Sequence, residues 1–370
     1  MKIAQVAPLF ESVPPNTYGG TERVVSYLTE ELVAMGHEVT LFASGDSITT
    51  ARLAAVCERS LRLDGDCTDR MVHHIRLLER ARKAASAFDL MHFHCDYLHY
   101  PLSRRMRTAH LTTLHGRLDL PELKALYEEF NDIPLVSISD AQRGRLGFAD
   151  WRGTVYHGLP EEQYRFVEHP APYFVFVGRI SPEKQVDHAI EIARAAGTKL
   201  KIAAKVDAVD VEYFKQRIEP LLSDPLVEYL GELAEGPKRD LAARARALLF
   251  PINWPEPFGL VMIEAMAGGT PVLAYRRGSV PEVITHGVSG LIVDGLEEAR
   301  QAVGAIDRLD RRRCRAEFES RFSARRMAAD YVAIYERLVQ ERLALRQRIG
   351  PRRHAGRPRI GPSSNPAPGA

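Results

Sequence analysis

The chain has no uninterrupted apolar stretch of the roughly 18–20 residues that a membrane-spanning helix requires. Its opening, MKIAQVAPLFESVPP, lacks the extended apolar segment of a secretory leader. Cysteine is scarce. Four occur (Cys57, Cys67, Cys95, Cys314) and no two form a C-x-x-C pair. That excludes a disulfide-stapled miniprotein and predicts reduced thiols and a cytoplasmic address. A G-x-G-x-x-G turn after the first apolar run is absent, which removes the usual signature of a dinucleotide oxidoreductase. Net positive charge is missing from the body. The overall +2 depends on seven arginines from Arg342 onward, in a stretch with no Lys, Asp or Glu; the preceding residues carry five more acidic than basic side chains. A nucleic-acid-binding body shows the reverse balance, so no specific nucleic-acid partner is expected.

What is present is globular. The chain is 45% hydrophobic and 26% charged over 370 residues, enough for two domains with sizeable cores. Short apolar runs alternate with helical patterns. KIAQVA (2–7) reads as a buried strand, and residues 21–35 carry Val24, Val25, Leu28, Leu32 and Met35 at helical spacing. EVTLFAS follows as a strand, then DLMHFH (89–94), HLTTLH (110–115) and PLVSIS (134–139), with helices expected at 70–87 and 121–130. The rhythm pauses at GLPEEQYRFVEHPAP (158–172) and restarts with YFVFVG, a helix from Pro182 to Ala196, KLKIAA, VEYLG, ALLFP and TPVLAY. Repeated β-α-β order predicts parallel sheets covered by helices. The expected organisation is an α/β protein of two Rossmann-like domains, 1–168 and 169–322, facing a central cleft. A helix over 323–345 follows, with Met327, Tyr331, Ile334, Tyr335 and Leu338 as its apolar stripe, and it is expected to pack back on the body. The Arg/Pro-rich remainder, 346–370, cannot bury a core and reads as a disordered tail, with peripheral contact to acidic lipid as its one candidate membrane role.

The densest chemistry lies in FPINWPEPFGLVMIEAMAGGTPVLAY (250–275). Phe258, Gly259, Leu260 and Val261 would open a helix whose free N–H groups and dipole suit a phosphate, with Gly259 permitting close approach. Glu264 sits among Leu260, Val261, Met262, Ile263, Ala265 and Met266, and a carboxylate on so apolar a helix needs partners. Glu256, in the loop before it, could accept hydrogen bonds from a sugar ring. Arg179 and Lys184 follow an apolar strand at the expected cleft edge, where two cations would stabilise charge on a departing phosphate. His115 ends a strand and faces the same cleft. His92-x-His94-Cys95 offers potential zinc ligands, but strand alternation separates Cys95 from the histidines and no second pair completes the set. It reads instead as cleft wall, and no metal is expected.

The spacing Glu256-x7-Glu264 within EPFGLVMIEAMAGGTPVLA resembles the E-x7-E signature of retaining GT4 glycosyltransferases, which have the GT-B fold. YGGTERVVSYLTEELVAMGHEVTLFASG, FVGRISPEKQVDHAIEIA and GSVPEVITHGVSGLIV resemble further family segments in the same order, so the likeness runs from about residue 1 to 340. One departure is Gln185, where the family usually has glycine. The resemblance implies roles by position: Arg179 and Lys184 at the donor diphosphate, Glu264 at the nucleotide ribose, Glu256 at the donor sugar, and His115 near the transferred sugar. Gly19 and Gly20 would lie against the diphosphate, and Phe258 to Val261 would line sugar and phosphate. It implies retaining, metal-independent transfer of a hexose-like sugar from a UDP- or GDP-sugar to an acceptor hydroxyl, with no cofactor beyond that donor substrate. The absence of an Asp-x-Asp pair from the loops expected to line the cleft agrees. A hydrolase is disfavoured, because eight residues of continuous helix rise about 12 Å, too far for paired glycosidase carboxyls. A nucleotide-sugar epimerase and a non-catalytic sugar-nucleotide-binding protein on the same fold remain open.

Overall fold

The computed structural model describes residues 1–349 apart from 17, 18, 63 and 145. From residue 350 on, the expected tail lies outside the described residues. Seven parallel strands form the first sheet: β1 (Lys2–Val6), β2 (Glu38–Ala43), β3 (Arg52–Ala55), β4 (Leu90–Phe93), β5 (Ala109–Thr113), β6 (Leu135–Ser137) and β7 (Trp151–Thr154). Their order is β3-β2-β1-β4-β5-β6-β7. The second sheet is built from β8 (Tyr173–Arg179), β9 (Lys199–Lys205), β10 (Val227–Gly231), β11 (Ala247–Phe250), β12 (Val272–Tyr275) and β13 (Gly290–Val293), all parallel, in the order β10-β9-β8-β11-β12-β13. In each sheet the order reverses beside the first strand of that sheet. This is the switch point at which open α/β sheets leave a crevice beyond their carboxyl ends.

Three strands escape the sequence pattern. β3, β7 and β13 all sit at a sheet edge, and β3 (RLAA) and β7 (WRGT) are only partly buried and make no apolar run. The helix expected from Pro182 to Ala196 is also interrupted. Pro182–Lys184 is a tight turn, Gln185 has left-handed backbone (φ 49°), and the α-helix proper is Val186–Ala195.

The C-terminal helix runs Ala324–Ile349, four residues further than expected, because the helix-forming run continues through Arg342 to Arg348. Ser323 Oγ accepts from Arg326 N (3.2 Å) at its start, beside the second lobe, and the helix then lies against β5 and the helix Gly20–Ala34 of the first. Its buried stripe of Met327, Tyr331, Ile334, Tyr335 and Leu338 joins an apolar cluster that runs through both lobes, from Ile3 and Leu28 to Val175 and Leu248. Elsewhere the lobes are pinned by polar contacts. Ser139 Oγ donates to Pro257 O (2.6 Å), and the Glu282 carboxylate accepts from Asp140 N and Ala141 N (2.7 Å each).

Candidate active site

The carboxyl ends of the two sheets meet around a cavity of about 590 Å³. His115, Arg179, Lys184, Glu256, Gly19, Gly20, Phe258, Gly259, Leu260, Val261 and Glu264 all line it, drawn from both lobes. Lys205 at the end of β9, and Glu232 and Leu233 just after β10, line it too.

Glu264 lies on the helix Leu260–Ala267 and is buried. Its partner is Arg23 of the opposite lobe, equally buried, whose second terminal nitrogen pairs with Glu235; Lys238 in turn pairs with Glu235. Burial pushes the Glu264 carboxyl up, but Lys238, Arg23 and Arg239 outweigh it and hold it below the ordinary carboxylate range. Burial likewise opposes the Arg23 charge, and Glu264 and Glu235 more than restore it. Arg23 Nε and Glu235 Oε2 stay buried without a partner among the described residues. Arg23 lines the cavity, and an orphaned polar atom there is what a polar ligand would satisfy.

Glu256 and Lys184 form a second pair, Nζ to Oε2 at 2.5 Å, and Trp254 Nε1 donates to the same oxygen at 3.0 Å. The Lys184 ammonium stands 5.0 Å from the Trp254 ring centroid. The left-handed Gln185 follows directly, so the turn that aims Lys184 is one glycine would adopt without cost. Arg179, at the end of β8, pairs with Glu183 and lies 3.5 Å from both Asp207 and Asp210; Lys205 Nζ is 2.9 Å from Asp207. Burial pushes Asp207 up, and Lys205 and Arg179 bring it below its usual value. The expected phosphate-binding cations are thus matched with carboxylates around the cavity.

Two glycines have steric reasons. Gly259 caps the helix with φ 78°, and a Cβ there would meet Met262 Cε at 2.7 Å. A Cβ on Gly19 would meet Pro15 Cβ at 2.8 Å. Next to this loop, Glu22 is buried with no counter-charge among the described residues. Burial pushes its carboxyl up to about 7, against a hydrogen bond from its own backbone.

His115 follows β5. Gln142 Nε2 donates to Leu114 O and Gly116 O (2.8 Å each), which fixes the backbone on both sides. The ring stacks on His157 at 5.3 Å, and His157 packs edge-on against Phe258. Burial pushes the His115 imidazole down to about 3, so it is neutral at physiological pH. The nitrogens of His92 and His94 are all engaged by protein groups: Tyr335 and Thr113 for His92, His115 and Gln5 for His94.

Sequence reading missed Arg23, Glu235, Lys238, Trp254, Gln142, Glu22 and His157. For His157 a signal existed, since VYHG (155–158) repeats the strand-then-His-Gly pattern of TLHG (113–116). For Arg23 it was the charge pair Glu22-Arg23 set directly before the apolar residues Val24 and Val25 in the first turns of the helix.

Comparison with known proteins bears on this architecture. The family described as Glycosyltransferase Family 4 matches residues 18–166, and Glycosyl transferases group 1 matches residues 161–325. The chain belongs to the family 4 glycosyltransferases. Among curated relatives, a D-inositol 3-phosphate glycosyltransferase of Corynebacterium kroppenstedtii is 37% identical over 137 residues, 35% of this chain and 30% of that protein. The same-named protein of Mycolicibacterium smegmatis is 29% identical over 238 residues, 56% and 51% of the two chains. The chain thus spans only about a third to a half of these relatives' length. Solved structures align more fully. AviGT4, a glycosyltransferase involved in avilamycin A biosynthesis, superposes with TM-score 0.69 and 25% identity, covering 92% of this chain and 98% of its own. Anabaena HepE in complex with UDP and glucose gives 0.66 and 20%, covering 94% and 100%. The two-sheet arrangement of the chain is the GT-B fold.

Proposed function

We propose that the protein transfers a hexose-like sugar from a nucleotide diphosphate sugar to an acceptor hydroxyl, with retention at the anomeric carbon and without a metal. The observation that carries this reading is convergence. Cations, acids, a neutral histidine and a helix N-terminus from both lobes surround one cavity at the two switch points. The complex of the similar fold with UDP and glucose supports a donor of this class.

In this reading Glu264 takes the ribose hydroxyls, with Arg23 keeping it ionised. Lys184, Arg179 and the helix N-terminus after Gly259 offset charge on the diphosphate as the bond from the anomeric carbon to the phosphate oxygen breaks. A new bond forms from the acceptor oxygen on the same face, and the acceptor proton passes to the departing phosphate. Glu256, held by Lys184 and Trp254, faces the donor sugar. His115 is too weak a base at neutral pH to take the proton and serves as a hydrogen-bond partner for a sugar hydroxyl. The acceptor remains any hydroxyl compound that the loops of the first lobe admit.

A thermal-shift titration with UDP, GDP, ADP and their sugar conjugates, with and without EDTA, tests the donor site. A ligand bound only by the native state stabilises by about 2.7 kcal/mol at 100-fold over Kd. Stabilisation by one nucleotide, indifferent to EDTA and lost in Glu264→Ala, is the expected result. Donor consumption that needs no acceptor would favour the epimerase. Binding without consumption under any acceptor would favour a binding protein.

A further inference from the structure

His115 is one end of a hydrogen-bonded chain that leaves the cavity and crosses the first lobe to the C-terminal helix. Its Nε2 lies 2.9 Å from His94 Nδ1, and His94 Nε2 lies 2.7 Å from Gln5 Oε1. Gln5 Nε2 reaches Tyr335 Oη at 3.3 Å, which is 2.7 Å from His92 Nδ1. His92 Nε2 meets Thr113 Oγ1 at 2.7 Å, and that hydroxyl meets Tyr331 Oη at 2.9 Å. Gln5, His92, Thr113, Tyr331 and Tyr335 are fully buried and His94 nearly so. A fully buried amide in the middle of β1 is costly unless it is hydrogen-bonded at both ends.

No charged group takes part in these bonds, and burial keeps the three imidazoles neutral. Each ring then carries one proton, and a neutral chain of this kind has only two self-consistent directions. Gln5 selects between them, because the two ends of an amide cannot be exchanged by moving a proton. With its oxygen toward His94, His94 must donate from Nε2 and present a bare Nδ1. His115 must then donate from Nε2, which leaves its own Nδ1 bare. On the other side the Gln5 NH2 donates to Tyr335, Tyr335 to His92, His92 to Thr113 and Thr113 to Tyr331. Every link is satisfied. At the cavity end, His115 Nδ1 is buried with no partner among the described residues, and so is Nδ1 of the stacked His157.

We propose that Gln5 and Tyr335 are positioning residues that lock His115 with its proton on Nε2 and a bare Nδ1, so that the ring meets a substrate hydroxyl as a hydrogen-bond acceptor. The hydroxyl's identity as part of a sugar rests on the transferase reading above; the tautomer does not.

Nitrogen-15 NMR of the ligand-free full chain with labelled histidine tests it, the His115 signals being assigned by their loss in His115→Gln. The wild type is expected to show an unprotonated His115 Nδ1 and a protonated Nε2 across neutral pH. In Gln5→Glu the carboxylate still accepts from His94, so the His115 tautomer should persist. In Gln5→Leu, and in Tyr335→Phe, which keeps the ring packing, the single tautomer should be lost to a mixture. Such a change would not follow from loosened packing that spared the amide. A protonated Nδ1 in the wild type overturns the proposal, as does an unchanged His115 in both Gln5→Leu and Tyr335→Phe. Should the tautomer be as stated while no nucleotide sugar is consumed, the lock stands and the transferase reading falls.

Discussion

Two side chains that cross or enter the cavity set measurable pH behaviour. Together with Lys238, Arg23 keeps Glu264 ionised, and Arg23→Met takes away the buried carboxylate's direct partner. Breaking one partner of such a pair costs about 3–5 kcal/mol. Because the folded Glu264 is held below its ordinary range, that contribution is present at neutral pH and is lost as pH falls through the folded value. Urea denaturation should therefore show a large gap between Arg23→Met and wild type at pH 7 that narrows below about pH 4. Equal gaps at both pH values would contradict the ion pair. Glu22 runs the other way. Its carboxyl rises from 4.5 to about 7 on folding, so between those values the folded chain keeps a proton the unfolded chain has released. Stability then falls from pH 4.5 to 7 and is flat above. Glu22→Gln should stabilise by up to roughly 3 kcal/mol at pH 8 and by nothing at pH 4, read as Tm at the two pH values. In the active site, Glu256→Gln weakens the pairing with Lys184, and kcat should drop at least ten-fold (about 1.4 kcal/mol) while the fold persists. Turnover left untouched would remove Glu256 from its assigned role.

At the scale of elements, the turn around Gln185 and the cap at Gly259 position Lys184 and the helix N-terminus at the cavity. Gln185→Gly relieves a left-handed backbone and should leave Tm unchanged or slightly raised with activity retained; Gly259→Ala imposes the same conformation on a residue with a Cβ and should cost about 1–3 kcal/mol. Thermal melts of the two variants check both signs. The sequence made most of this level readable for a physical reason. Strands such as YFVFVG and helices such as 21–35 are long enough for apolar spacing to repeat, and Glu256 and Glu264 sit in a motif whose spacing survives in one local segment. β3 and β7 did not show, since RLAA and WRGT are partly exposed edge strands with no apolar run. The partners of the motif were illegible for a different reason. Arg23 lies 241 positions before Glu264, and Tyr335 lies 330 positions after Gln5, so nothing local links them. His157 was within reach only by noticing that two strands end in the same His-Gly pair.

For the whole molecule, the C-terminal helix decides whether the first lobe has a complete core. Its Met327, Tyr331, Ile334, Tyr335 and Leu338 are all buried. At about 1.5–3 kcal/mol for each buried large side chain, their loss rivals the 5–15 kcal/mol stability of a typical domain. A chain ending at Phe322 should therefore fail to fold cooperatively, seen as a lost sigmoidal transition in circular dichroism; a native-like melt would show the helix to be dispensable. The route of that helix also constrains how such proteins can be recombined. The last described helix is sequentially attached to the second lobe but packs against the helix Gly20–Ala34 and β5 of the first. The second lobe cannot be exchanged as a simple C-terminal cassette. A functional chimera has to replace residues between the two sheets' connection and Phe322 while retaining the host's own closing helix, so the natural unit of exchange here is an internal insert with two junctions.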